Sequence, residues 1–294
     1  LSSALLPPVA SAAAPFSWSL RRRRLFDRCK KEYYLHYYVA AGGADPYAPP
    51  ETRLLHRLKN LTDIPGFAHR VLTASLRDFF AGGAEDGEFF RQAVMELASR
   101  GLADMISGRA AADHKKVLLI ELTRPKADFA ASKRLLYETL EELIPRWRQG
   151  AVRELLAVPP ENRVPVPFPL EVSFGELTCF AVPAAVWLRR GILDLAEIGP
   201  AEEETAALHA LYGMNCRGRS PGQVGSFVLD GGELRPVERP ASFSAALRRI
   251  RLDADRMTVF ERPGGFWVEE DFPPSPEHCE NCRFRSFCQN RDVE

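Results

Sequence analysis

The chain is short of lysine. Of its 39 basic residues only seven are lysines, none after Lys133, and the other 32 are arginines. Any motif in the second half that requires a lysine is therefore excluded, and genomic base composition is a sufficient account of the bias. Net charge is lacking as well, with 39 acidic residues against 39 basic, so no global field favours nucleic acid or an anionic membrane. No apolar run approaches the ~20 residues of a membrane helix. The opening Leu-Ser-Ser-Ala-Leu-Leu-Pro-Pro has no charged n-region, so it reads as a cut edge of the chain rather than a secretory signal. Six cysteines without such a signal imply a reducing, cytoplasmic setting, where clustered thiols bind metal more often than they form disulfides. No internal repeat is visible.

What is present is a cysteine pattern. Cys29 stands alone near the start, in Arg-Leu-Phe-Asp-Arg-Cys-Lys-Lys-Glu-Tyr-Tyr, while Cys279, Cys282 and Cys288 crowd the end. Three thiolates so spaced can converge on one metal centre, and Cys29 is the obvious fourth donor. Joining them clasps the two ends of the chain, a closure worth roughly 5 kcal/mol in the chain-entropy treatment of cross-links. Cys179, in an expected strand, and Cys216, after an expected helix, read as core thiols.

The 294 residues, 46% of them apolar, suit one large domain. Residues 1–15, rich in Ala, Ser and Pro, read as a flexible arm. Residues 16–164 form a helical front half, with helices expected at Leu20–Tyr38, Thr52–Leu61, Gly66–Phe80, Glu88–Ser107 and Asp128–Gln149. Val117–Leu122 reads either as a buried strand or as a helix extension. Residues 165–230 are strand-rich, with short runs at Phe168–Phe174, Leu177–Val182, Ala185–Leu188, Ile192–Ile198 and Val224–Leu229, and a helix inserted at Glu202–Met214. Residues 231–294 hold a helix over Phe243–Met257, a Pro263-Gly264-Gly265 hairpin and the cysteine tail.

Together these features resemble the RecB-like, iron–sulfur branch of the PD-(D/E)XK nuclease superfamily, which includes CRISPR-associated RecB-like exonucleases and AddB-type nuclease domains. The residues that carry the resemblance are Ser17 and Ser19 before Cys29, the Tyr33-Tyr34 pair, Gly66-Phe67-Ala68-His69, and Phe272-Pro273-Pro274 before the cysteine triplet. The resemblance implies a restriction-endonuclease-like α/β core, a central mixed sheet flanked by helices, with the terminal segments joined at a four-cysteine [4Fe–4S] cluster. Zinc is the alternative, although structural zinc sites usually pair two similar knuckles.

Departures fall where the chemistry belongs. Ala184 stands where the family has a metal-binding aspartate, and Gly199 where it has the lysine; only Glu197 of the Glu197-Ile198-Gly199 triplet keeps the acid. In a slipped register Asp194 fills that role, again without a lysine. Leu208 replaces the glutamine that precedes Tyr212. Phosphodiester hydrolysis of this kind needs Mg²⁺ or Mn²⁺ on at least two hard oxygen ligands and a cation aimed at water. With only His69 and Glu197 (or Asp194) left, the expectation is a vestigial site on a DNA-binding or scaffolding subunit in DNA processing, repair or defence. Its partners would be single-stranded DNA or a duplex end, and a helicase or nuclease protein. The alternative is an active exo- or endonuclease, with Lys126, Arg189 or Arg190 replacing the lysine or with Ala184 an engineered change that Gly199 argues against. His69 also reads as an ordinary helix histidine and Glu197 as a strand-end acid. Arg21, Arg22, Arg23 and Arg24 read either as a solvated face or, with Tyr212, as nucleic-acid contacts. The tyrosines at 33–38 read as helix packing.

Overall fold

The computed structural model describes residues 15–82, 87–107, 117–123, 128–258, 276–280 and 282–290. All but the last residue of the N-terminal arm lies outside them, as do the Pro263-Gly264-Gly265 hairpin, the Phe272-Pro273-Pro274 approach and Lys126.

Helix α1 (Leu20–Arg28) begins where Ser19 is extended and its hydroxyl accepts from the Arg22 N–H at 3.2 Å. The single helix expected from Leu20 to Tyr38 is broken at Cys29, whose φ of −159° and ψ of 111° are extended. Cys29 ends α1 and caps α2 (Lys30–Tyr34), its Sγ accepting from the Glu32 N–H at 3.4 Å. A π-helical turn over Leu35–Val39 follows. Apolar spacing is blind to such a break, because the capping group is a single sulfur.

Next come α3 (Pro50–Lys59), α4 (Ile64–Ala81) and α5 (Gly87–Ile106). Asp63 caps α4, accepting from the Gly66 N–H at 2.8 Å. Helix α6 (Phe129–Trp147) runs through a π turn at Arg148–Val152 into α7 (Arg153–Leu156). The ambiguous Val117–Leu122 segment contains a two-residue strand β2 (Leu118–Leu119), parallel to β1 (Leu61–Thr62), and then a 3-10 turn over Ile120–Thr123.

Strands β3 (Leu170–Phe174) and β4 (Leu177–Ala181) form a hairpin whose turn places Gly175 at φ +59°. Trp18 bonds alongside β4, its N–H donating to the Thr178 carbonyl and its carbonyl accepting from the Phe180 N–H, both at 2.8 Å. A separate sheet has the order β5-β6-β7-β8, from β5 (Pro183–Arg189), β6 (Ile192–Ile198), β7 (Val224–Asp230) and β8 (Glu233–Pro236). The central β6–β7 pair is parallel and the outer pairs are antiparallel. A parallel pair needs a crossover, and α8 (Glu203–Arg217) supplies it. Helix α9 (Phe243–Met257) and two short tail helices, α10 (Pro276–Cys279) and α11 (Arg285–Asn290), complete the order.

The fold is mixed α/β, with a buried core on each face of the four-stranded sheet. One core joins α1, α2, the β3–β4 hairpin, α8 and α9 to Leu193 and Leu195 of β6, and takes in Phe284 and Phe287 of the tail. The other joins α4, α5 and α6 to Ala184, Trp187 and Ala196. Side chains alternate along a strand, so Glu197 shares the face of Leu195, and Asp194 the face of Ala196. No helix of the described residues is long and apolar enough to cross a membrane.

Asp194 is fully buried, with Oδ2 2.7 Å from Arg189 Nε. It sits opposite Gly225 on β7, where an added Cβ would lie 1.9 Å from Oδ1. Gly225→Ala must therefore push a buried, paired carboxylate aside, and should lower stability by about 2–3 kcal/mol. Urea unfolding reads this directly; an unchanged midpoint would mean that Asp194 moves freely.

Candidate functional site

Between α1, α4, α5 and the sheet lies a cleft of about 1180 Å³. Its walls are notably cationic: Arg21, Arg24 and Arg28 from α1, Arg70 and Arg77 from α4, Arg100 from α5, and Arg283 from the tail. Among the described residues, Glu32, Asp104 and Glu197 are the carboxylates that oppose them. The neutral chain thus carries a locally cationic groove, lined by seven of its 32 arginines.

His69 and Glu197 both line the groove. Glu197 is buried; its Oε1 accepts from the Val182 N–H at 3.2 Å, and its Oε2 lies 3.4 Å from Nε2 of the fully buried His209, without hydrogen-bond geometry. His209 is a partner that sequence reading missed, since an α8 histidine carries no motif of its own. His69 packs near the Trp147 ring, 6.4 Å between centroids. Asp194 is fully buried beneath Arg189 and is not part of the groove lining, so the slipped register does not bring it to the groove. Ala184 is packed in the core, and Leu208 is fully buried. One carboxylate and one histidine do not make the two hard oxygen ligands that Mg²⁺ or Mn²⁺ requires.

Gly199, at φ +129°, holds a different surprise. An added Cβ there would meet Arg24 Nη1 at 3.0 Å, so the Arg24 guanidinium fills the space beside the expected lysine position. Arg24 is itself paired with Glu202 at 2.7 Å. Neither proposed stand-in within the described residues does this: Arg189 is bound to Asp194, and Arg190 is the turn residue at φ +51°.

The four-arginine run divides by helix face. Arg21 is exposed and lines the groove with Arg24. Arg22 is buried, donating to Tyr33 Oη and Tyr38 Oη at 3.1 Å each and to the Ser17 carbonyl at 3.0 Å. Arg23 faces Glu202, Glu204 and Asp253, tying α1 to α8 and α9. Tyr212 is buried, with Arg217 donating to its hydroxyl at 2.9 Å. Arg22 and Tyr212 are therefore core residues, withdrawn from any bound strand. Tyr33, Tyr34 and Tyr38 are buried too, as packing residues.

Cys282 and Cys288 of the tail pack against the core that includes Phe26 of α1 and Tyr33 and Tyr34 of α2. Cys29, Cys279, Cys282 and Cys288 are all half-buried and free of disulfides. The Cys282 N–H donates to the Cys279 carbonyl at 3.2 Å, and the Cys288 N–H to the Phe284 carbonyl at 3.0 Å. The Cys282 thiol is pushed up to about 12, chiefly by burial, then by Glu32, Cys288 and Cys29. Cys29 and Cys288 are thus its neighbours. Four sulfur donors without disulfides suit a soft metal or cluster, yet among the described residues no three His, Cys, Asp or Glu side chains close to metal-holding geometry. Cys179 is a core thiol, raised to about 12 by burial. Cys216 is exposed, which corrects its reading as a core residue: it lies on the open last turn of α8. Comparison with family models and with curated proteins finds no match to this chain.

Proposed function

We infer that this chain is a nucleic-acid-binding domain of the PD-(D/E)XK type whose nuclease chemistry has lapsed. The observation that carries this reading is the pairing of seven groove arginines with a single buried carboxylate at the old catalytic position. Arginines along a groove neutralise phosphates and release counterions, which gives binding without sequence preference. Glu197, held by Val182 and facing His209, serves the fold rather than a cation. In this reading Cys29, Cys279, Cys282 and Cys288 hold a [4Fe–4S] cluster, with zinc as the alternative, and the domain scaffolds a helicase or nuclease partner on DNA. The bound group would fix the tail against α2, and with it Arg283.

The test is a pair of assays on the same protein. Binding of labelled single-stranded DNA should weaken steeply with salt, with a log–log slope of about −3 to −5 for four to seven contacts on a single strand. Incubation with Mg²⁺ or Mn²⁺ should release no product, and Glu197→Ala should change neither result. A specific observation favours one competing reading: Arg24 beside Gly199 puts a cation where the lysine is missing. Metal-dependent cutting abolished by Glu197→Ala would establish that active nuclease and end the vestigial one.

A further inference from the structure

Three of the groove arginines line the cleft from three separate elements, together with His36. Arg21 of α1, Arg70 of α4 and Arg283 of the tail lie in each other's field: the Arg70 guanidinium is lowered to about 10, first by surrounding protein and then by Arg21 and Arg283. No carboxylate pairs with Arg21 or Arg70 within salt-bridge distance among the described residues, whereas Arg24 and Arg28 are held by Glu202 and Glu32. Arg283 donates to the Lys59 carbonyl at 2.5 Å and has Glu32 at 3.9 Å, but Glu32 already binds Arg28 at 2.7 Å. Beside the group, the Nδ1 of His36 is buried with no hydrogen-bond partner, and its ring also lines the groove. Burial, Arg283, Arg21, Lys59 and Arg22 all lower this imidazole, so it adds no positive charge to the group.

Three guanidinium groups that share one carboxylate already bound to Arg28 are unfavourable until an anion joins them, and planar N–H forks match phosphate oxygens. The charge on the anion discriminates between candidates. A backbone phosphodiester carries one negative charge, while a phosphomonoester carries about 1.5 to 2 at neutral pH and offers three strong acceptor oxygens. We propose that Arg21, Arg70 and Arg283, beside the ring of His36, form a subsite for the terminal phosphomonoester of a nucleic-acid strand lying in the groove. This rests on the nucleic-acid reading above and sharpens it: the groove grips the strand, and this corner selects its end. Arg283 lies between Cys282 and Phe284, so the subsite is completed only when the tail is docked.

The experiment compares one fluorescent single-stranded oligonucleotide with a 5′-phosphate, a 3′-phosphate or only hydroxyl ends, titrated with the full chain. The expected result is a preference of about tenfold or more for one phosphorylated end, the worth of one or two charge-assisted hydrogen bonds. In Arg21→Ala/Arg70→Ala that ratio should fall towards one, while Arg235→Ala, on the β7–β8 hairpin, should retain it. Equal affinity for all three ends would overturn the subsite and leave the groove standing. Failure to bind any oligonucleotide would overturn both. Inorganic phosphate at equal concentration should compete far less well than the phosphorylated oligonucleotide; equal competition would make this a free-phosphate site and refute the proposal.

Discussion

Cys282→Ser should yield protein without iron or brown colour and lower its melting temperature by about 10–20 °C. Two quantities set this scale. Linking Cys29 to the tail closes most of the chain into one loop, which restrains the unfolded ensemble by about 5 kcal/mol. For a domain of this size each kcal/mol moves the melting point by about 2–4 °C. Cys282 is the position of choice because it neighbours both Cys29 and Cys288, and because its thiol at about 12 is a poor thiolate until a cation compensates its burial. Its loss also frees Arg283 and the neighbouring Phe284, which is fully buried against the α1–α2 core. Cys216→Ser, exposed on α8, is the matched control and should change nothing. Iron and acid-labile sulfide analysis, visible absorption and a thermal melt test the claim together. Colourless wild-type protein rich in zinc would replace the cluster with its alternative. A Cys282→Ser protein that melts like wild type would remove the clasp altogether.

The sequence spoke clearly where a local pattern and a local cause coincide. Strand β6 and helix α9 run over Ile192–Ile198 and Phe243–Met257, the spans that alternation and 3.6-residue spacing predict. It was silent where a cause is distant. The parallel pairing of β6 with β7 depends on a crossover helix between them, and no residue of either strand announces it. The break at Cys29 comes from a sulfur acting as a helix cap, a role that a pattern keyed to Ser, Thr, Asp and Asn passes over. At the site, His69 and Glu197 were legible as motif residues, and both line the groove. Arg70 and Arg77, seven residues apart on one face of α4, could have been found as a basic stripe. Arg283 could not, because only the docked tail brings it there. Position along β6 decides between Asp194 and Glu197, because the groove opens at the Glu197–Ile198 end of the strand, and that end is known only once the helices are packed.

The division of the Arg21–Arg24 run gives the sharpest separation of stability from binding. Arg22→Ala should destabilise the fold by about 2–4 kcal/mol. It deletes three hydrogen bonds from a charged donor, two of them to the buried Tyr33 and Tyr38 hydroxyls. It also uncovers the Phe16 and Tyr37 rings, each now 4.4 Å from the guanidinium carbon. Arg22→Lys should recover less than half, because one ammonium cannot span acceptors arranged around a planar fork. Arg21→Ala should behave in the opposite way. Its side chain is exposed, so the unfolding midpoint should move by no more than about 0.5 kcal/mol equivalent. The salt dependence of single-stranded DNA binding should become shallower by about 0.7 of a unit of slope, the signature of one lost phosphate contact. Urea unfolding and oligonucleotide titration on the two variants separate these effects in one experiment. If Arg22→Ala weakened binding as Arg21→Ala does while leaving stability intact, all four arginines would form a single phosphate-facing comb and the buried hub would be refuted.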